Sequence, residues 1–204
     1  MVLIQLTQAV PVIYERSSTR GFQKKSIPED LLKEILTAGT MAPNSGNMQP
    51  WEFIVINTPE MKEKVVETTY AGYYSKGASN QHWIKDAGVI IVVCTNFKRT
   101  IAAYGEDGNL WAQLDTSAAI QNMLLTATAL GLGGCWIGGF NRENVKKLFN
   151  IPPYVTPISI VPLGYASRKF DNKARIPVDL ITHKNQYNVP FFKVCKTTES
   201  LIKN

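Results

Sequence analysis

The chain has 204 residues, enough for one domain with a sizeable core, and its 45% hydrophobic and 19% charged content is that of an ordinary soluble globular protein, not a disordered one. Its net charge of +6 and pI near 9.2 come from scattered basic residues, with Lys24-Lys25, Lys146-Lys147 and Arg168-Lys169 as mere pairs, so the charge favours anionic small ligands over nucleic acid. Cys94, Cys135 and Cys195 stand far apart without a CxxC, which speaks against metal and disulfide frameworks and leaves reduced thiols in a cytoplasmic setting.

In chain order, Met1 to Tyr14 has Gln5 and Gln8 inside it and no basic lead, so it is not a secretory signal, and no apolar run reaches the roughly 18 residues of a membrane span. Apolar spacing predicts a short helix within Val2 to Glu15, broken by Pro11 and leading into Arg16-Ser17-Ser18-Thr19-Arg20. Two guanidinium groups with hydroxyls between them can converge on one phosphate; the same pattern also fits a solvated charged turn. Ser26 and Glu29 read as a capping box for a helix whose core face is Leu31, Leu32, Ile35 and Leu36 and which stops near Gly39. Next, Ala42 to Pro50 is rich in turn formers carrying amides and hydroxyls, either a connector or a loop that presents hydrogen-bonding groups to a heterocycle.

Trp51 to Ile56 is predicted as a strand, followed by Thr58 as N-cap and Pro59 at the first helical position. Residues 70–83, with Tyr70, Tyr73, Tyr74 and Gly77, read as a substrate-facing segment, and His82 as a surface histidine. Gly88 to Cys94 is a β-branched strand covered on both faces. Ala112 to Leu130 is apolar or small on most sides, hence the hub of the core or a subunit interface. It runs into Gly133-Gly134-Cys135-Trp136-Ile137-Gly138-Gly139-Phe140, where glycines either mark a tight turn or bare the backbone to a flat ligand. Asn141 caps a short helix through Phe149, and Ile158 to Leu163 forms another strand. In extended Lys173-Ala174-Arg175 both cations lie on one side and can reach one anion. Tyr187 to Cys195, with Pro190 inside, reads as an edge strand or arm. Nothing marks a boundary or repeat, so residues 1–204 read as a single domain.

There is no GxGxxG, P-loop, HExxH or GxSxG. What remains is cations, an amide-rich loop and a glycine platform, a combination that suits flavin mononucleotide (FMN): phosphate for the cations, pyrimidine edge for the amides, flat ring for the bare backbone. The order of these pieces resembles the nitroreductase family of flavoenzymes. The resemblance is carried by Arg16 to Arg20, Ala42 to Trp51, Leu132 to Phe140, Pro162-Leu163-Gly164-Tyr165 and Lys173 to Arg175, and covers roughly residues 12–180.

That resemblance implies an α+β fold, a mostly antiparallel central sheet flanked by helices, in a homodimer with a C-terminal arm and one FMN in each of two interface sites. By the same resemblance Arg16, Ser17, Ser18 and Arg20 would contact phosphate, ribityl and pyrimidine groups, and Lys173 and Arg175 would complete the phosphate site. Pro43, Asn44, Ser45 and Asn47 would reach the flavin of the other subunit. Gly138 and Gly139 would lie beside the ring with a backbone N–H aimed at N5. Gly138 and Asn44 stand where many members carry Glu and Ser; the N5 contact, being a backbone one, survives that change. NADH or NADPH would be the electron donor, and a nitroaromatic, quinone or free flavin the small-molecule acceptor, in ping-pong turnover that needs no side-chain acid or base. Flavin-fragmenting or dehalogenating members, and a non-catalytic FMN-binding module, share the same motifs.

Overall fold

Aromatic and β-branched residues concentrate in Trp51–Ile56 (β1), Val89–Asn96 (β2) and, beyond the two-residue Gly133–Gly134 (β3), in Val155–Gly164 (β4). In the computed structural model, which describes residues 10–71, 79–171 and 174–192, these pair as one antiparallel sheet in the order β1-β2-β4-β3. Around it stand Pro11–Glu15 (α1), Glu29–Thr40 (α2), Pro59–Thr68 (α3), Phe97–Tyr104 (α4), Gly108–Ala129 (α5) and Arg142–Leu148 (α6).

Alternation along β2 explains the layering. Val89, Ile91 and Val93 pack with Ile35 of α2 and Ile120, Met123 and Leu124 of α5, whereas Ile90, Val92 and Cys94 pack with Val65 and Val66 of α3 and Val145 of α6. The sheet is thus covered on both faces, as its continuous apolar run requires. Truncating a core side chain such as Ile120 or Met123 to Ala would cost about 2–5 kcal/mol. Helices α2 and α5 approach closely because Gly39 lacks a side chain, since a Cβ there would meet Met123 Cγ at 2.9 Å. The Asn122 amide adds a donor to the Ala38 carbonyl at 3.1 Å.

Several local features differ from expectation. Pro11 starts α1 instead of breaking it, since a proline at the first position loses no helical bond; residues 1–9 lie outside the described residues. Ser26 caps nothing, because α2 begins at Glu29 after an extended Pro28. The preceding chain is fixed by tertiary contacts: Gln23 N–H donates to the Tyr165 carbonyl at 2.9 Å, and Ile27 and the Lys25 carbonyl crowd Gly88. Thr58 and Pro59 begin α3 as read, though the Thr58 hydroxyl makes no capping bond, whereas Asn141 does cap α6 by accepting from Asn144 N–H at 3.0 Å. Helix α5 starts at Gly108, four residues ahead of the apolar run. Its Ala112, Ala119, Ile120, Met123 and Ala127 are fully buried, while Leu110 and Leu114 are about 60% exposed.

Contacts divide the chain into two units, Met1–Asp171 and Asn172–Asn204. In the second, Val178–Leu180 makes a 3-10 turn and His183 pairs with Pro190. Asn185 and Asn188, with φ of 62° and 65°, reverse the chain between them, and Pro190 bridges back to His183, so of the edge strand or arm expected over 187–195 the described part, 187–192, makes no strand beyond that single bridge; the rest of that tail lies outside the described residues. Among the described residues no helix is long and apolar enough to cross a membrane.

Candidate functional site

The basic segment is not a free turn. Ser18 pairs in parallel with Gly134, and Thr19 N–H donates to the Gly134 carbonyl at 3.0 Å, so residues 16–20 run extended along the outer edge of β3. In extended chain alternate side chains share a side, which groups Arg16, Ser18 and Arg20. All three act on the Cys135 thiol. Burial pushes its pKa up, and Arg20, a hydrogen bond from Ser18 and Arg16 pull the other way, in that order. Two guanidinium groups and a hydroxyl on one side of the segment thus lie near enough to Cys135 of the glycine stretch to influence its thiol. Ser17 is set apart: with Thr19 it lines the opposite side, a cleft of about 200 Å³ that also holds Arg168 and Lys169.

Three of the segment's glycines are explained by packing. A Cβ on Gly133 would meet Thr19 Cβ at 2.8 Å, one on Gly134 would meet the Leu124 and Leu163 methyls at 2.8 Å, and one on Gly139 would meet the Tyr70 carbonyl oxygen at 2.5 Å. Gly138 differs, because it is exposed and a Cβ there meets nothing within 4 Å. The shelf is held flat on both sides. Ile137 exchanges two 3.0 Å backbone bonds with Ile160, and the Gly139 carbonyl accepts from Tyr70 N–H at 2.9 Å and from the Gln81 amide at 3.3 Å. Trp136, 39% exposed, stands between buried Cys135 and Ile137.

The loop after α2 is fixed elsewhere. Ser45 donates from its N–H to Asp115 Oδ2 at 3.0 Å and from its hydroxyl to Asp115 Oδ1 at 3.2 Å. Asn44 spends its amide inside the loop, donating to the Ala42 carbonyl at 3.2 Å and accepting from Gln49 N–H at 2.9 Å. Gly46, Asn47 and Gln49 have φ of 55°, 59° and 48°. Left-handed backbone at non-glycine residues costs on the order of 1–3 kcal/mol each, so strong anchors must hold it. Tyr104 lies against Gly46, where a side chain has no room, and meets Trp111 edge-on at 5.0 Å. Pro43 and Asn47 are exposed.

Among the described residues no hydrogen bond joins this loop to the Arg16–Arg20 segment or the shelf. Lys173 lies outside the described residues, as do 72–78 of the Tyr-rich segment. Arg175 belongs to the second unit, where it donates to the Ala174 carbonyl at 3.3 Å. A lysine-lined cleft of about 420 Å³ lies apart from the shelf; its buried Lys62 ammonium donates to the Ala87 and Gly88 carbonyls at 2.7 and 3.0 Å. Asp115, Gln81 and Tyr104 were not anticipated. Only Asp115 left a trace in the sequence, as a lone carboxylate on a helix otherwise small, apolar or hydroxylated over its buried face.

A model of the family described as Nitroreductase family matches residues 13–165. The chain belongs to the nitroreductase family. Similar proteins include the "Putative NADH dehydrogenase/NAD(P)H nitroreductase" of Methanothermobacter thermautotrophicus, 38% identical over 157 residues, 75% of this chain and 74% of that one. The FMN reductase (NADPH) of Bacillus subtilis is 25% identical over 198 residues, 90% of this chain and 76% of that one. Among solved structures, a nitroreductase family protein from Clostridium difficile 630 superimposes with TM-score 0.74 at 28% identity, over 87% of this chain and 98% of that one.

Proposed function

We propose that the protein is an FMN-dependent oxidoreductase that takes electrons from NADH or NADPH and passes them to nitroaromatic, quinone or free-flavin acceptors in ping-pong turnover. The observation that carries this reading is the pairing of the Arg16–Arg20 segment, through Ser18 and Thr19, with Gly134 of a shelf whose Gly138 leaves open space. The name of the Bacillus subtilis relative, FMN reductase (NADPH), points the same way.

The residues present fit the cofactor. A flat ring needs bare backbone, and Gly138 is the one glycine of the segment that packing does not explain. The anionic groups need cations, which Arg16 and Arg20 supply, with Ser18 alongside and Ser17 turned to the neighbouring cleft. When bound, FMN supplies the two-electron chemistry between donor and acceptor. The chain's own work is positioning: the backbone at Gly138 and Gly139 would lie beside the ring, while Arg16 and Arg20 would favour negative charge on the bound group. The loop at Pro43, Asn44, Ser45 and Asn47 serves the FMN of a second copy, so the working form is a homodimer. The exposed Leu110 and Leu114 of α5 supply apolar surface for that contact. Free, buried Cys94 and Cys135 suit a reducing cytoplasm.

The test is the visible spectrum of the purified protein followed by anaerobic addition of NADH, then of a quinone. A yellow dimer that bleaches and recolours is the expected result; a colourless monomer that takes up no FMN overturns the reading.

A further inference from the structure

We propose that Asp115 is the positioning residue of the site: from within α5 it clamps Ser45 and so sets the 43–49 loop in the conformer that presents Asn47 to the FMN of the second copy. The inference rests on the functional reading above and adds to it the group that holds the loop.

Its first support is an unusual carboxylate. Asp115 is 8% exposed and sits on the buried face of α5 among Ala112, Thr116 and Ala119. Among the described residues no cation pairs with it. A buried, unpaired carboxylate is costly, and an apolar residue would serve the core better. Both of its oxygens are spent on one residue, Ser45, through the N–H at 3.0 Å and the hydroxyl at 3.2 Å. The stabilisation of this anion is therefore delivered wholly to the loop.

The second support is what the loop does with it. Within four positions Gly46, Asn47 and Gln49 all adopt left-handed backbone, a conformation that relaxes unless its ends are pinned. Ser45 is the pin on one side. On the other, Gln49 N–H is held by Asn44 and its carbonyl accepts from Arg99 at 2.6 Å. Between the pins Asn47 is exposed and its side chain makes no hydrogen bond among the described residues. An amide held in a strained loop with both its donor and its acceptor left open suits a heterocycle edge that offers both.

The experiment uses full-length protein and two readouts, FMN affinity by fluorescence quenching and backbone hydrogen exchange of 43–49 in the FMN-free state. Asp115→Ala is expected to raise the FMN dissociation constant at least tenfold and to speed exchange in 43–49. Asp115→Asn, whose amide can accept from Ser45 N–H and donate to its hydroxyl, should stay within about threefold of wild type. Asn47→Ala should weaken FMN alone without changing exchange, and added to Asp115→Ala it should cost no more than the larger single effect, a coupling that a merely structural role would not produce. Should Asp115→Ala fail to fold, Ser45→Ala, which removes only the hydroxyl bond, carries the test with a smaller loss of about three- to fivefold. FMN affinity within twofold of wild type in both Asp115→Ala and Ser45→Ala, or additive losses in the double variant, would overturn the inference alone. Wild-type protein that binds no FMN would overturn the functional reading, and this inference with it.

Discussion

Thr19 N–H donates to the Gly134 carbonyl at 3.0 Å, and that bond docks the arginine-bearing segment against the glycine shelf. The glycines beside this bond then divide into those the fold needs and one that it does not.

Gly133→Ala drives a methyl into Thr19 and should cost about 1–3 kcal/mol, as overpacking does. Gly138→Ala places its methyl in open space and should change stability by no more than about 0.5 kcal/mol. Urea unfolding of the two variants decides; equal losses would refute the distinction.

Arg20→Ala removes the guanidinium that most strongly opposes the upward pull of burial on the Cys135 thiol and that is proposed to meet the FMN phosphate. Charge-assisted bonds contribute about 1.5–3 kcal/mol, so FMN should bind about 10- to 100-fold more weakly. Lys24→Ala, an exposed cation close by in sequence, should leave affinity unchanged in the same titration.

Burial lifts the Cys94 thiol from 9.0 to about 12. The folded protein keeps this proton where the unfolded chain has lost it, so the stability is whole below pH 9.0 and falls as pH rises toward 12. The loss is about 1.4 kcal/mol per pH unit in that window. The stability advantage of wild type over Cys94→Ala, followed by urea unfolding from pH 8 upward, should shrink with that slope. A gap that is flat with pH would contradict it.

Lys62→Ala leaves the Ala87 and Gly88 carbonyls without their ammonium donor. The expected loss is about 2–3 kcal/mol, since hydrogen bonds to charged groups are the stronger ones. FMN affinity should not move, because Lys62 lies apart from the shelf; a fall in affinity without a fall in stability would argue otherwise.

Much of the fold was legible because local chemistry and tertiary packing agree. Trp51–Ile56 is β-branched and is a strand to the residue; Asn141 is a good cap and does cap. Ser26 misled because its capping signal is as good, yet the neighbouring backbone is claimed by Tyr165 and Gly88, partners over sixty positions away. In the site, Arg16, Ser18 and Arg20 were legible as a group of polar residues, but which of them share a side depends on the segment being extended. Ser17 was placed with them for want of that fact. Asp115 lies seventy positions from Ser45, and no spacing rule joins the two.

The sheet order leaves β3 on the outside, where among the described residues the 16–20 segment lies alongside it. The stretch proposed to hold the cofactor is thus also a cover for a sheet margin. Protein stripped of its nucleotide, with that stretch peeled away, would offer the margin to other chains as a template for stacking. Holding the cofactor would then protect the protein from precipitation as well as equip it for turnover.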